Sequence, residues 1–281
     1  MASIKSVLIK NGFALKSDLD SIELKSIYNK LKKEQDSFLK DHIFFRSQNY
    51  KWAFDALHWW SRIWEYPFVY KNLKQLLKKN KNLKVLDFGS GTTFFPFTLS
   101  KLGCNVICVD NDKVCVNDLE KAIKHFKKGK QIKSVLSIDY SIPLKSNSID
   151  LIYSVSVIEH IIEYEKSILE LHRLLKKSGY LILTFDVCLL GNAELNRNNY
   201  LKLIDVLIKY FELTLPETKE NKNEYLTTIN SLIPYPHKFI FRHLLYNIKR
   251  IIIDIVSLRV PKCYFVNDVL AVKGLVLKVK K

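Results

Sequence analysis

The stretch Lys84-Val-Leu-Asp-Phe-Gly-Ser-Gly-Thr-Thr93 constrains the fold of this 281-residue chain more than any other. Val85 and Leu86 read as the end of a buried parallel strand closed by Asp87. Gly89 and Gly91 are the residue type that turns tightly and lets a ligand approach the backbone, and Thr92 onward reads as a helix start. Strand, glycine turn and helix open a doubly wound α/β sheet, which binds ligands at the carboxyl ends of its strands. Two further apolar segments also end in an acid: Val106 to Asp110, with Asp110 lying 23 residues after Asp87, and Ser134 to Asp139. One acid at a strand end is ordinarily a loop cap. Three at successive strand ends are better explained by one shared site.

The glycine turn fits either a nicotinamide dinucleotide or S-adenosylmethionine. A dinucleotide fingerprint wants a third glycine three residues after the second, and Phe94 stands there. Asp87 precedes the first glycine, where a carboxylate repels a pyrophosphate but can hold the ammonium of an amino-acid moiety. Both details favour S-adenosylmethionine.

The next segments follow in a telling order. Ile142 to Asp150 leads into the apolar strand Leu151-Ile-Tyr-Ser-Val155, then Ile158-Glu159-His160, and Arg173 to Thr184 supplies a turn at Gly179 and a fifth strand. Over about residues 80 to 187 the chain resembles the class I S-adenosylmethionine-dependent methyltransferases, in their small-molecule O-methyltransferase branch. The resemblance implies a Rossmann-like α/β fold, a seven-stranded and mostly parallel sheet with an antiparallel last strand, here Val269 to Lys278. It implies that Asp87, Gly89, Ser90 and Gly91 surround the methionine part of the cofactor and that Asp110, with Asn111 in the same set, holds the ribose. Asp139 and Tyr140 would border the adenine, with Val155 and Ser156 lining the floor.

Residues 1 to 80 read as a helical extension, with a cap at Ser17-Asp-Leu-Asp20 before Ile22, Leu24, Ile27, Tyr28 and Leu31 at helical spacing. All four tryptophans, Trp52, Trp59, Trp60 and Trp64, fall within 13 residues. They either anchor the extension to the sheet or form a lid, as the helical N-terminal segment does in related methyltransferases. In the lid reading Arg62 reaches the methionine carboxylate and Tyr66 flanks the sulfonium. Residues 81 to 281 then form the cofactor-binding domain, with a helix from 195 to 211 and an insertion at about 216 to 265. Within the insertion, 238 to 258 has one apolar helical face, which packs on the core, joins a second copy as a homodimer, or touches a membrane surface.

Methyl transfer is an in-line displacement, so the protein's tasks are alignment and removal of water. A hydroxyl acceptor also has to lose a proton, and His160 is the leading candidate base, with Glu159 orienting it or touching the acceptor. The plainer alternative is that Glu159 caps a helix and His160 is a satisfied polar group. Quinone-pathway O-methyltransferases that this segment resembles carry an acid three residues before the Glu; Ser156 stands there, so no metal is expected. The Asn/Asp-Pro-Pro-aromatic motif of nucleic-acid amino-methylating enzymes is replaced by Ser154-Val-Ser-Val157, and no cysteine nucleophile lies there. A small molecule or glycan hydroxyl, or a phosphate, remains. The Trp64-Glu-Tyr-Pro67 run resembles methyltransferases of bacterial surface-polysaccharide pathways.

The net charge of +17 raises RNA as a partner, but the excess is lysine, with arginine only at 46, 62, 173, 197, 242, 250 and 259. Together with the abundance of Ile and Asn, this pattern follows from A+T-rich coding, so nucleic acid is not the expected partner. An RNA methyltransferase and a cofactor-binding scaffold stand as the alternatives. Cysteines 104, 108, 115, 188 and 263 lack paired metal spacing and read as reduced structural thiols. No secretory or spanning segment is evident in the sequence, which sets a cytoplasmic expectation.

Overall fold

In the computed structural model, residues 6–79, 82–191, 193, 195–218, 221–233 and 268–280 are described. The strands are β1 (Gly12–Phe13), β2 (Lys84–Phe88), β3 (Asn105–Asp110), β4 (Ile132–Leu136), β5 (Ile149–Val155), β6 (Leu175–Leu190), β7 (Phe211–Leu213) and β8 (Val269–Val279). The helices are α1 (Ile22–Lys40), α2 (Arg62–Lys79), α3 (Phe95–Lys101), α4 (Lys113–His125), α5 (Tyr164–Leu174) and α6 (Arg197–Tyr210).

The sheet runs β1-β8-β6-β5-β2-β3-β4, and β7 also pairs with β8. β2 lies parallel between β3 and β5, β4 and β6 extend the parallel set, and β8 is antiparallel to β6. Strand order therefore reverses around β2, which puts the glycine turn at the point where such sheets open a crevice. Both faces are covered, which is why the central strands are nearly continuous apolar runs. Alternation sorts them: Val85, Val106, Cys108, Leu151, Tyr153 and Ile182 pack with residues of α1 to α4. Leu86, Ile107, Val109, Ile152, Leu181 and Leu183 pack with α5 and α6.

Among the described residues the sheet has eight strands, one more than expected, because the N-terminal segment contributes β1 antiparallel to β8. That segment is thus not wholly helical. Ser21, not Ser17 to Asp20, caps α1: its Oγ accepts from Leu24 N at 3.2 Å. Lys16–Asp20 is a 3₁₀ turn whose Asp18 carboxylate accepts from Leu15 N and Trp64 Nε1 and pairs with Lys10. Of the insertion, the described residues up to 233 lie against the N-terminal segment and β8: Leu226 N donates to Ala14 O at 2.8 Å and Thr228 N to Leu270 O at 3.0 Å. The apolar helix expected at 238–258 and Cys263 lie outside the described residues. Cys104, Cys108, Cys115 and Cys188 are free and buried. No helix among the described residues is long and apolar enough to cross a membrane.

Trp64 and Phe68 stack at 4.6 Å on one turn of α2 and bring their ring tips against β8 at Gly274. A Cβ there would sit 2.7 Å from Trp64 and 2.8 Å from Phe68. Trp60 and Trp64 are buried, Trp59 is half-buried and Trp52 is exposed, so two of the four tryptophans anchor the extension. Gly274→Ala is expected to cost about 1–3 kcal/mol through overpacking, measured by urea unfolding; an unchanged midpoint would show that the aromatic pair has room to move.

Candidate active site

β2 ends in the glycine turn because Gly89 (φ 76°) and Gly91 (φ 52°) adopt left-handed backbone. Gly89 N and Ser90 N both donate to Val109 O, at 2.9 and 3.1 Å, tying the ends of β2 and β3 together. Val157, just past β5, fills the space where a Gly89 side chain would lie, its Cγ2 only 2.4 Å from an ideal Cβ. Asp110 is held in place by backbone donors, Gly91 N to Oδ2 at 2.8 Å and Asp112 N to Oδ1 at 2.9 Å. Its carboxyl is raised by burial, with Asp112 adding and these donors opposing. It stays part-exposed, and Asn111 beside it is exposed. Asp87 is buried and pushed up to about 7 by that burial; the Tyr153 hydroxyl beside it opposes the shift and Asp110 adds to it.

An N-terminal stretch covers this turn through residues that no local sequence pattern singles out. The Arg46 guanidinium donates to Thr92 O at 2.8 Å and Phe54 O at 2.6 Å and stacks over Tyr50 and Phe54. The Tyr50 hydroxyl accepts from Thr92 N at 3.1 Å, and Ser47 N donates to Asp118. Tyr66 is buried between Phe94 and Phe95, at 5.4 and 5.0 Å, and burial pushes its hydroxyl well up. Phe94, standing in place of a third glycine, thus serves as packing for α2.

Asp139 and Tyr140 have a different setting from the one expected. β4 stops at Leu136, and both residues take positive φ (48° and 64°) at the apex of a tight turn closed between Ile138 and Ser141. Asp139 is exposed and is not a strand-end acid.

The carboxyl end of β5 carries the densest chemistry. Val155 O accepts from Arg62 Nη1 at 2.7 Å. Ser156, at φ 47°, donates its hydroxyl to both oxygens of Glu65, at 2.8 and 3.0 Å, and Arg62 Nε lies 3.5 Å from Glu65. Arg62 is therefore engaged by Val155 and Glu65. Ile158–His160 forms a 3₁₀ turn that sends Glu159 inward, 6 % exposed, and leaves His160 exposed. Glu159 Oε1 accepts from Asp186 N at 3.2 Å, while Glu159 Oε2 and Asp186 Oδ1 are buried without a partner. Burial pushes the Glu159 carboxyl up to about 7, with Glu65 adding and His160 and Arg62 opposing. Asp186 is likewise raised well above its ordinary value, by burial first and then by Glu65 and Glu159. An unsatisfied buried polar atom costs about 1–3 kcal/mol, so these groups are arranged for something other than stability. Asp186 escaped the sequence reading, although an acid between Phe185 and Val187 in an apolar strand was a signal.

Residues 86–183 match the family described as methyltransferase domain, and they contain this turn, both flanking acids and the Glu159 turn. Residues 86–183, about a third of the chain, are a methyltransferase domain. Around this domain the similarities are partial. The ubiquinone biosynthesis O-methyltransferase of Pelagibacter ubique (strain HTCC1062) is 32% identical over 111 residues, 38% of this chain and 43% of that protein, so the match spans less than half of the relative's length. A putative sarcosine dimethylglycine methyltransferase from Galdieria sulphuraria superimposes with a TM-score of 0.54 at 17% identity, over 76% of this chain and 84% of the other. The cyclase SpnF gives 0.52 at 12% identity, over 89% and 93%. The last two likenesses are of fold. The methyltransferase domain's turn fits an S-adenosylmethionine ligand by its donor set: part-exposed glycine backbone at Gly89 and Gly91, a part-exposed carboxylate at Asp110 and a buried one at Asp87.

Proposed function

We propose that this protein transfers a methyl group from S-adenosylmethionine to a hydroxyl of a small-molecule acceptor, with sugars and nucleotide-sugars as the first candidates. The observation that carries the reading is Asp110: backbone donors from both flanking loops fix its carboxylate, yet it remains part-exposed beside the glycine turn, suited to two ribose hydroxyls. Asp87, with Gly89, Ser90 and Gly91, would hold the methionine end, and Tyr66 and Val155 would wall the space between. Arg62 would steady that wall through Val155 O, and the exposed Asp139 and part-exposed Tyr140 would border the adenine from their turn. When bound, S-adenosylmethionine supplies an electrophilic methyl carbon on a sulfonium. The residues 46–54 cover would exclude water from the turn, which alignment for displacement requires. The Trp64 to Pro67 run is buried as packing, so a sugar acceptor and a role in surface-polysaccharide synthesis rest on the resemblance of that run alone.

Calorimetry with S-adenosylmethionine tests this reading. Wild type is expected to bind, and Asp110→Ala to weaken binding roughly 30–150-fold for loss of about 2–3 kcal/mol of hydrogen bonding. Absence of binding, or an affinity indifferent to Asp110, would sink the assigned pocket.

A further inference from the structure

We infer that the buried carboxyl groups of Glu159 and Asp186, with the hydroxyl of Thr184, form the acceptor's end of the site, taking an alcohol whose immediate neighbours carry no negative charge, and that Glu159 receives its proton. The inference rests on the methyl-transfer reading and narrows its substrate class.

Placement comes first. Residues alternate along β6, and Ile182 packs in the core shared with α1 to α4, so Thr184 and Asp186 face the same side. α2 brings Arg62 and Glu65 to that side, and the turn after β5 brings Glu159, bonded to Asp186 N. The cluster therefore borders the carboxyl end of β5, where Val155 pairs with Thr184 of β6, one strand away from the glycine turn at the end of β2.

Partners come second. Glu65 is engaged by Ser156 and Arg62. Glu159 Oε2, Asp186 Oδ1 and Thr184 Oγ1 are buried without a hydrogen-bond partner, in residues of which Glu159 is 6 % and Thr184 1 % exposed. In the ionised form that a base requires, Glu159 Oε2 accepts and does not donate, so its missing partner is a donor; the threonine hydroxyl, and the Asp186 carboxyl whose protonated form burial favours, can serve the acceptor oxygen from the other side.

Charge comes third. Three acids, Glu65, Glu159 and Asp186, share Arg62, with His160 on Glu159's own turn the other basic group acting on it. An anion brought among them meets net repulsion, whereas a neutral or cationic alcohol does not. This excludes a phosphate oxygen as the methylated atom. In the step itself the acceptor O–H bond would break with its proton passing to Glu159 Oε2, the oxygen's electron pair would form the new bond to the methyl carbon, and that carbon's bond to sulfur would break with its pair left on sulfur as a neutral thioether. His160, exposed at the end of the turn, is displaced from the role its sequence position suggested.

Two alcohols of equal size and opposite charge test the proposal, ethanolamine and glycolate, each added at equal concentration to the full chain saturated with S-adenosylhomocysteine. Melting temperature is read, and methyl uptake from labelled S-adenosylmethionine is followed in parallel. Ethanolamine is expected to raise the melting temperature and to accept methyl groups, and glycolate to do neither. Both effects should be lost in Glu159→Gln and in Asp186→Asn, while calorimetric affinity for S-adenosylmethionine stays within about twofold of wild type. Equal effects of glycolate, an ethanolamine effect that survives both variants, or no effect of either alcohol overturns the proposal. Failure of wild type to bind S-adenosylmethionine overturns the methyl-transfer reading instead.

Discussion

Replacing Arg62 by methionine is expected to destabilise the protein by about 3–5 kcal/mol near pH 8 and by much less near pH 5. Arg62 is the cation shared by Glu65, Glu159 and Asp186, and it also satisfies Val155 O. With a quarter of its side chain exposed, 24 %, the loss should fall toward the lower end. The sign of the pH dependence follows from the carboxyls. Glu159 titrates at about 7 in the folded protein, above its ordinary 4.5, and Asp186 is raised too. Between those values the folded state keeps a proton that the unfolded chain has released, so stability falls as pH rises through the window. Removing Arg62 raises the folded values further and extends the loss to higher pH, while in acid the carboxyls are neutral and the cation is missed less. Urea unfolding at the two pH values checks this; an equal loss at both would mean that Arg62 acts through packing alone. Adding Glu65→Leu to the Arg62 variant should recover part of the loss, because replacing both members of a buried pair is cheaper than removing one.

Gly89→Ala should be nearly as damaging to the fold and more damaging to cofactor binding. The backbone at φ 76° charges an alanine about 1–2 kcal/mol, and a Cβ 2.4 Å from Val157 Cγ2 adds about 1–3 kcal/mol of overpacking. Relief requires the turn to move away from Val109 O, which carries Gly91 and its bond to Asp110 with it. Calorimetry should show loss of S-adenosylmethionine binding. The double variant with Val157→Ala separates the two causes: it should regain the steric part of the stability and none of the backbone part. Full recovery would show that the positive φ carries no strain.

What the sequence revealed, and what it concealed, divides along physical lines. The glycine turn, Asp87, Asp110 and the strand order were legible because each is a local pattern: apolar runs, glycine spacing and acids at strand ends. β1 was not, since a two-residue strand has no periodicity and exists only because β8 offers it an edge. Arg46 and Tyr50 belong to the turn through contacts 46 and 42 residues away, which composition cannot show. Asp139 misled because a strand-end acid and a turn-apex acid look alike in a sequence; the positive φ of two successive residues decides between them. Glu159 and His160 were seen together, but which of two adjacent residues faces inward depends on one turn of 3₁₀ geometry.

The join between the two ends of the chain bears on how this protein is made. Asn11 is buried, its amide donating to Leu215 O at 2.6 Å and its carbonyl accepting from Val276 N at 2.5 Å across 265 positions, beside β1 on β8. On a ribosome β1 precedes its partner β8 by about 260 positions and cannot dock until β8 has emerged, whereas the residues 46–54 cover needs only Thr92 and Asp118. Trp64 and Phe68, whose seat is Gly274, must likewise wait for β8, so closing this face of the sheet is a late, non-local step rather than the start of folding.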